Sequence, residues 1–235
     1  MEGDQPKLLV LVPAYNEADR ITAVVQEVSR YLPVLVVDDG SSDNTSSLAV
    51  QSGAELLRQQ PNQGKGSALR AGFSYALERQ YDAVITLDAD GQHDPAEIPA
   101  FEEAFRLRRA DLIIGARDFR HMPVVRRLTN TFGRWSFSWA VGQLVQDNQS
   151  GYRLLSTRMM DAMLPSQEQG FQFEAEMIAE CIRLGFVLEW IPIRTIYGDE
   201  SSHIRPLHHA VNYIRIIFQI FRRMRGKRRK NGNNP

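Results

Sequence analysis

A mostly parallel α/β sheet with helices on both faces is the fold class this chain predicts, on three observations. Short, nearly continuous apolar runs recur through its first half, each run ends in a polar turn, and helical stretches separate the runs. Strands apolar on both faces and alternating with helices belong in a sheet that is covered twice. The 235 residues fit one large domain or two small ones, and a hydrophobic share of 43% is ample for a core. No Gly/Ser/Pro-rich linker divides the chain, so one domain is expected.

The first four runs are Leu8–Val12 before PAYNE, Val34–Val37 before DDGSSD, Ala54–Arg58 before QQPNQGKG, and Ala83–Leu87 before DADGQHDP. Residues 18–31 and 66–80 read as helices between them, and a further helix follows Pro95. The second half is less regular. Asp111–Gly115 reads as a strand, 119–146 as a long loop or helical region, 173–184 as a helix and 186–193 as a strand. Sheets of this kind bind ligands outside the carboxyl ends of their strands, so the four polar clusters should converge on one crevice.

Several classes are excluded. The first strand turn lacks GxGxxG, which argues against a dinucleotide site. NQGKGSA is no P-loop, because Gln59 and Gln60 fill the region where the leading glycine belongs and Gly66 follows Lys65. A single cysteine, Cys181, makes neither an internal disulfide nor a CxxC site. The opening MEGDQPKLLVLVP has no basic n-region or cleavage site, and no apolar stretch approaches the ~20 residues of a spanning helix. A cytoplasmic chain is expected. Its 28 basic and 28 acidic residues cancel, yet residues 222–230 hold seven basic residues and no acid, leaving a body of 21 basic against 28 acidic. Such a chain seeks an anionic partner at one end.

The chemistry concentrates in the turns. Asp88 and Asp90, with Gln92 two residues on, offer two carboxylates and an amide oxygen toward one Mg²⁺, whose shell a diphosphate would complete. A solvated acidic turn is the plain alternative for this triplet taken alone. Asp39 can accept from a base or ribose, while Gly40 makes the turn and Ser42 or Asp43 caps the next helix. Tyr15 and Glu17 add an aromatic face and a carboxylate at the first strand end, with Asn16 explained as an N-cap. Lys65 stands between Gly64 and Gly66, within reach of a phosphate or the base.

VPAYNE, VVDDGSSDNT, NQGKGSALRAGF and LDADGQHDP, in this order and spacing, resemble the GT-A-fold glycosyltransferases of family 2. Within that family the likeness is to the polyprenyl-phosphate (dolichyl-phosphate-mannose-synthase-like) sugar transferases, over residues 6–205. The resemblance implies that Pro13, Tyr15, Glu17, Val37 and Asp39 surround the base and ribose. It implies that Asp88, Ala89, Asp90 and Gln92 hold Mg²⁺ or Mn²⁺ against the diphosphate. Gly115-Ala116-Arg117 matches the family's G-x-R, with its arginine toward the sugar or acceptor phosphate. Asp147 and Ser150-Gly151-Tyr152-Arg153 resemble the later acceptor-side motif, and Phe173-Glu174 the helix after it. One departure stands out. The family's pyrophosphate-clamp arginine falls at Thr195, with Arg194 one position off, and His203 and Arg205 lie near the family's lysine.

Beyond the motifs, Arg126 and Arg127 precede a segment rich in Phe132, Trp135, Phe137, Trp139 and Val141. Guanidinium forks beside an apolar surface would suit a polyprenyl phosphate. The aromatics themselves are expected in the core, where such stripes usually face. Leu207, Val211, Ile214, Phe218 and Phe221 recur at helical spacing before the basic run, predicting an amphipathic helix over 206–225 and a disordered basic tail over 226–235. Residues 207–230 would lie on an anionic membrane, alone or beside a membrane-protein partner; aromatic interleaving for nucleic acid is missing. The expected activity is metal-dependent, inverting transfer from a nucleotide-diphosphate sugar to a polyprenyl phosphate or other lipid acceptor. Asp90, Arg117, Asp147 and Glu174 are the catalytic candidates, the last two as bases if the acceptor is a hydroxyl. Transfer to a hydroxyl acceptor is the alternative within the class. A non-catalytic nucleotide-sugar-binding or membrane-docking subunit is the alternative outside it.

Overall fold

The computed structural model describes residues 5–118, 124–170, 172–194, 218 and 220–222; in the helix that begins at Val124, side chains are described from Thr131 onward. Seven strands form one sheet in the order β3-β2-β1-β4-β6-β5-β7. They are β1 (Leu8–Ala14), β2 (Val34–Asp38), β3 (Glu55–Arg58), β4 (Ala83–Thr86), β5 (Leu112–Arg117), β6 (Arg153–Ser156) and β7 (Leu188–Ile193). The expected strands are present with ends shifted by a residue or two. β6 is new, and it alone runs antiparallel, between β4 and β5.

The strands alternate sides, and both sides are apolar. Leu9, Leu11, Leu35, Val37, Val84 and Leu155 face one core; Leu8, Val10, Val12, Val36, Ile85 and Leu154 face the other. Over the first core pack α3 (Lys65–Glu78), α5 (Val124–Val141), α6 (Thr157–Met163) and α7 (Gln172–Leu184), through residues such as Phe73, Phe137, Met160 and Met177. Over the second pack α1 (Ile21–Val28), α2 (Thr45–Gln51) and α4 (Ile98–Arg108), through Val25, Ala49 and Phe101. Each buried phenylalanine contributes roughly 1.5–3 kcal/mol relative to exposure, so the three layers hold by area rather than by any one contact.

Strand direction positions the site. β1, β2 and β4 run parallel, so Ala14, Asp38 and Thr86 end on one rim. Because β6 opposes its neighbours, it contributes its beginning to that rim, with Arg153 opposite Thr86. The loop 147–152, which feeds β6, therefore meets the loops that leave β1, β2, β4 and β5.

Helix α5 corrects one expectation. Phe137, Ala140 and Val141 enter the core, but Phe132, Trp135 and Trp139 stand on the opposite face and are exposed. Of the C-terminal segment, residues 218 and 220–222 are helical; Ile220 is buried in the first core and Phe221 stacks on Trp139 at 4.6 Å between centroids. The rest of the predicted 206–225 helix, and the tail 226–235, lie outside the described residues.

Candidate active site

The first two loops are stitched together by side chains bonded to backbone. Asn16 sits at φ 57°, a left-handed conformation that asparagine tolerates better than most residues. Its N–H donates to Ser41 Oγ at 2.9 Å, and its Oδ1 accepts the Ser42 N–H at 2.8 Å. It is therefore a turn residue and no N-cap; α1 starts only at Ile21, with Arg20 in the cap position and no capping side chain. The Glu17 N–H donates to Thr45 Oγ1 at 2.8 Å, and the Ala18 N–H to Asp43 Oδ2 at 3.2 Å. Asp43 also accepts the Thr45 N–H, but from one residue outside the cap position of α2, which Asn44 holds without a side-chain capping bond. Tyr15 stands out from this frame, 49% exposed, with Pro13 half-buried behind it.

Asp39 is buried, and both its oxygens organise the loop before α3. They accept the Gln63 N–H at 2.8 Å and the Gly64 N–H at 2.7 Å. Two residues expected around the nucleotide are core instead. Val37 is 0% exposed among Leu9, Leu35 and Phe73, and Ala89 is buried in the other core. Strand alternation turns Val37 toward the first core, while Ala89 packs into the second from the turn after β4.

Lys65 opens α3 and reaches across the rim. Its Nζ lies 2.5 Å from Asp88 Oδ1 and 2.7 Å from Glu174 Oε1, so one ammonium bridges the strand turn and α7. Burial works to lower the Lys65 ammonium, but the two carboxylates outweigh it and hold it above its ordinary value. Burial likewise works to raise the Asp88 carboxyl. Lys65, and then a hydrogen bond from His93, outweigh that and keep Asp88 well below the usual carboxylate range. His93 Nε2 stands 3.5 Å from Asp88 Oδ2, its ring packed on Tyr152. Asp90 turns the chain locally, its Oδ1 accepting the Gln92 N–H at 2.9 Å.

The glycines of NQGKG are required by packing. A Cβ on Gly64 would lie 2.4 Å from the Gln169 carbonyl oxygen, and one on Gly66 would lie 2.5 Å from that of Glu168. The Gly66 N–H donates to Gln169 O at 2.7 Å. The turn thus carries Lys65 against the loop that leads into α7.

Arg117, at the end of β5, meets Asp147 as a fork. Nε donates to Oδ2 at 2.7 Å and Nη2 to Oδ1 at 3.0 Å, while Oδ1 also accepts the Gln149 and Ser150 N–H groups. Asp147 is 1% exposed. Glu174, 5% exposed, is paired with Lys65. Each of these carboxylates is thus paired with a cation, Asp147 with Arg117 and Glu174 with Lys65.

Ser150 and Arg153, expected to touch the acceptor, lie beneath the rim. Arg153 is wholly buried, its Nε donating to Ser150 O at 2.7 Å and Nη1 to Glu174 O at 2.5 Å. It ties the 147–152 loop to α7. His93 and Gly151 are the residues that sequence reasoning passed over. Both lay inside motifs already quoted, and both stand against Asp88. A Cβ on Gly151 would lie 2.5 Å from Asp88 Oδ2. His203, Arg205 and Thr195 lie outside the described residues, as do the side chains of Arg126 and Arg127.

The Glycosyl transferase family 2 profile matches residues 9–162, most of the chain and all four rim loops. The chain belongs to glycosyl transferase family 2. The undecaprenyl-phosphate mannosyltransferase of Micrococcus luteus is 32% identical over 205 residues, covering 80% of this chain and 82% of that one. A UDP-N-acetylglucosamine–dolichyl-phosphate N-acetylglucosaminyltransferase of Methanococcus voltae is 28% identical over 92% of this chain and 94% of its own. Among solved structures, glucosyl-3-phosphoglycerate synthase from Mycobacterium tuberculosis, with Mn²⁺ and UDP-glucose, superposes with a TM-score of 0.74. That match covers 93% of this chain and 79% of the other at 21% identity, a likeness of fold. This family 2 glycosyltransferase therefore has the GT-A architecture.

Proposed function

We propose that this glycosyltransferase moves a sugar from a nucleotide-diphosphate sugar to a polyprenyl phosphate, inverting the anomeric centre in one in-line displacement. The observation that carries the acceptor class is the state of its two candidate bases. A hydroxyl acceptor must give its proton to a group within about 2.6–3.2 Å. Asp147 and Glu174 are instead buried in ion pairs with Arg117 and Lys65. A lipid phosphate arrives already anionic and needs no base, and a guanidinium fork suits its oxygens. The two relatives act, by their names, with different sugars on polyprenyl phosphates, so the acceptor class is what they share.

In this reading Pro13, Tyr15, Glu17 and Asp39 receive the base and ribose, with Val37 and Ala89 as packing behind them. Lys65 orients Asp88 and keeps positive charge beside the transferred sugar. Arg117, aimed by Asp147, faces the acceptor phosphate, with Arg126 and Arg127 as further partners for it. His203 and Arg205 are proposed toward the diphosphate. Asp88, Asp90 and Gln92 would hold Mg²⁺ or Mn²⁺. The donor set fits in kind, being oxygen throughout with two carboxylates, and Lys65, now 2.5 Å from Asp88 Oδ1, would give way there to the cation. The bound cation supplies charge that stabilises the departing nucleotide diphosphate. The protein would work at the cytoplasmic face of a membrane, held there through residues 207–230 or by a membrane-protein partner. No helix among the described residues is long and apolar enough to cross a membrane.

The test is a panel of UDP-, GDP- and dTDP-sugars with Mg²⁺ or Mn²⁺, with polyprenyl phosphate or the corresponding alcohol. Sugar should transfer only to the phosphate, with the product anomer opposite to the donor. Transfer to the alcohol, or retention of the anomer, would overturn the reading.

A further inference from the structure

Three charged groups at the rim form a chain of falling exposure. The side chain of Asp88 is 27% exposed, that of Lys65 15% and that of Glu174 7%. Lys65 Nζ stands between the two carboxylates, 2.5 Å from Asp88 Oδ1 and 2.7 Å from Glu174 Oε1. Although burial opposes it, Asp88 and Glu174 keep the lysine charged. One ammonium thus serves two carboxylates, and the outer of the two is a residue proposed to hold the divalent cation.

The other side of Asp88 is crowded. His93 Nε2 stands 3.5 Å from Oδ2, and Gly151 lies so close that a Cβ there would be 2.5 Å from the same oxygen. A divalent cation that takes Asp88 therefore arrives on the Oδ1 side, which the lysine holds. An ammonium and a dication on one carboxylate oxygen repel strongly at that range. The lysine can leave without travelling far. Its backbone is fixed, because the Gly66 N–H donates to Gln169 O at 2.7 Å and neither flanking glycine has room for a Cβ. The Glu174 backbone is fixed too, its carbonyl accepting Arg153 Nη1 at 2.5 Å. Rotation of the flexible lysine stem is enough to release Asp88 and keep Glu174. We infer that Lys65 is an exchangeable counter-ion: it yields Asp88 Oδ1 to the divalent cation and withdraws onto Glu174, which makes Glu174 a positioning residue that receives the lysine. The handover deepens the cation site of the proposed function and rests on it. Its consequence is an order of binding. Lys65 opposes a cation that comes alone, and a diphosphate supplies the negative charge that lets both cations stay.

The measurement is Mn²⁺ binding to the full chain without nucleotide, followed by electron paramagnetic resonance of the free ion. Lys65→Met removes the charge and keeps a long side chain. It should bind Mn²⁺ at least about tenfold more tightly than wild type. Glu174→Gln should bind about fivefold more weakly, because the displaced lysine loses the carboxylate that receives it. Glu174→Asp discriminates. It keeps the negative charge but is one methylene shorter, so it should weaken binding as the glutamine does. Wild-type affinity in Glu174→Asp would show that charge alone matters and would overturn the handover. Equal or weaker binding by Lys65→Met overturns it as well. Should Lys65→Met show no cooperative thermal transition, the two Glu174 variants decide. Asp90→Ala separates the handover from the site beneath it. Binding unchanged in Asp90→Ala sinks the cation site and the handover together. Binding lost in Asp90→Ala but alike in wild type and the Lys65 and Glu174 variants sinks the handover and leaves the site standing.

Discussion

Along the rim proposed for the donor, the loops after β1, β2 and β3 hold one another through backbone amides. Asn16 bonds the Ser42 N–H, Asp43 the Ala18 N–H, and Asp39 the Gln63 and Gly64 N–H groups. Across the crevice, the rim proposed for the acceptor is held by charge: Arg117 on Asp147, Lys65 on Glu174, and Arg153 buried beneath both. Backbone-directed bonds fix a loop's shape and leave side chains such as Tyr15 available. Ion pairs fix side chains themselves, and each partner depends on the other. The donor rim should therefore tolerate loss of one side chain better than the acceptor rim, except where the side chain belongs to the chemistry.

Asp90→Ala tests that exception and carries the largest expected effect. Asp90 is partly exposed and accepts the Gln92 N–H within its own turn, and the variant's circular dichroism spectrum should match the wild type's. Turnover should fall by about a thousand-fold, the scale on which a single charge-stabilising group acts. Nucleotide binding measured calorimetrically should lose its dependence on Mn²⁺. An active Asp90→Ala protein would remove this aspartate from the donor rim's chemistry.

Asp147→Asn comes next and addresses the acceptor rim. The amide keeps the shape but leaves the Arg117 guanidinium, 13% exposed, without its counter-charge. Breaking such a pair costs about 3–5 kcal/mol, read as a lower urea midpoint. Turnover should drop about a hundred-fold while Mn²⁺-dependent nucleotide affinity stays at the wild-type value. Equal loss of nucleotide affinity would show that the two rims are one energetic unit.

The two rims were also unequally legible from sequence. β1 to β4 and their turns could be read because each run is apolar on both faces and ends in punctuation. β6 could not, since Arg153–Ser156 begins with a charged residue inside a motif and runs straight into α6, with Ser156 as its cap and no turn to mark the strand's end. The motifs also could not say that the side chains of Val37 and Ala89 are buried, since one lies on a strand and the other in the turn after β4, and the sequence alone does not fix which way either faces. In α5 the spacing gave two apolar faces, Phe137 with Val141 and Phe132 with Trp135, and nothing local says which face meets the sheet. His93 was passed over because its partner, Asp88, had already been given a complete explanation.

Gly151→Ala probes the seam between the rims. The added methyl would sit 2.5 Å from Asp88 Oδ2, and Asp88 cannot yield easily because Lys65 and His93 hold it from other sides. Crowding of this kind costs about 1–3 kcal/mol. Turnover should fall roughly tenfold, about 1.4 kcal/mol in the barrier, with most of the change in kcat. An unchanged kcat would mean that Asp88 can shift without consequence and that its position is not what couples the rims.

The smallest effect asks whether the acceptor side opens by itself. Cys181 lies on α7, in the same helix as Glu174, wholly buried in the first core. Burial, and then the nearby Asp111 carboxylate, push its thiol up to about 12. An exposed thiol titrates near 8.5, so the folded state disfavours the thiolate. The sign follows: this group's contribution to stability is complete below about 8.5 and is lost as pH rises toward 12. Between pH 7 and 9.5 the wild type should lose roughly 1 kcal/mol more stability than Cys181→Ala does. At pH 8 the buried thiol is still protonated in the folded chain, and a thiol reagent reaches Cys181 only through opening. If both rims share one cooperative sheet, labelling at pH 8 should follow the population of the globally unfolded chain. Labelling faster than that, and unslowed by Mn²⁺ with nucleotide, would place α7 in a unit that opens while the donor rim stays closed. The charge-held side would then be the weaker of the two in stability as well as in tolerance.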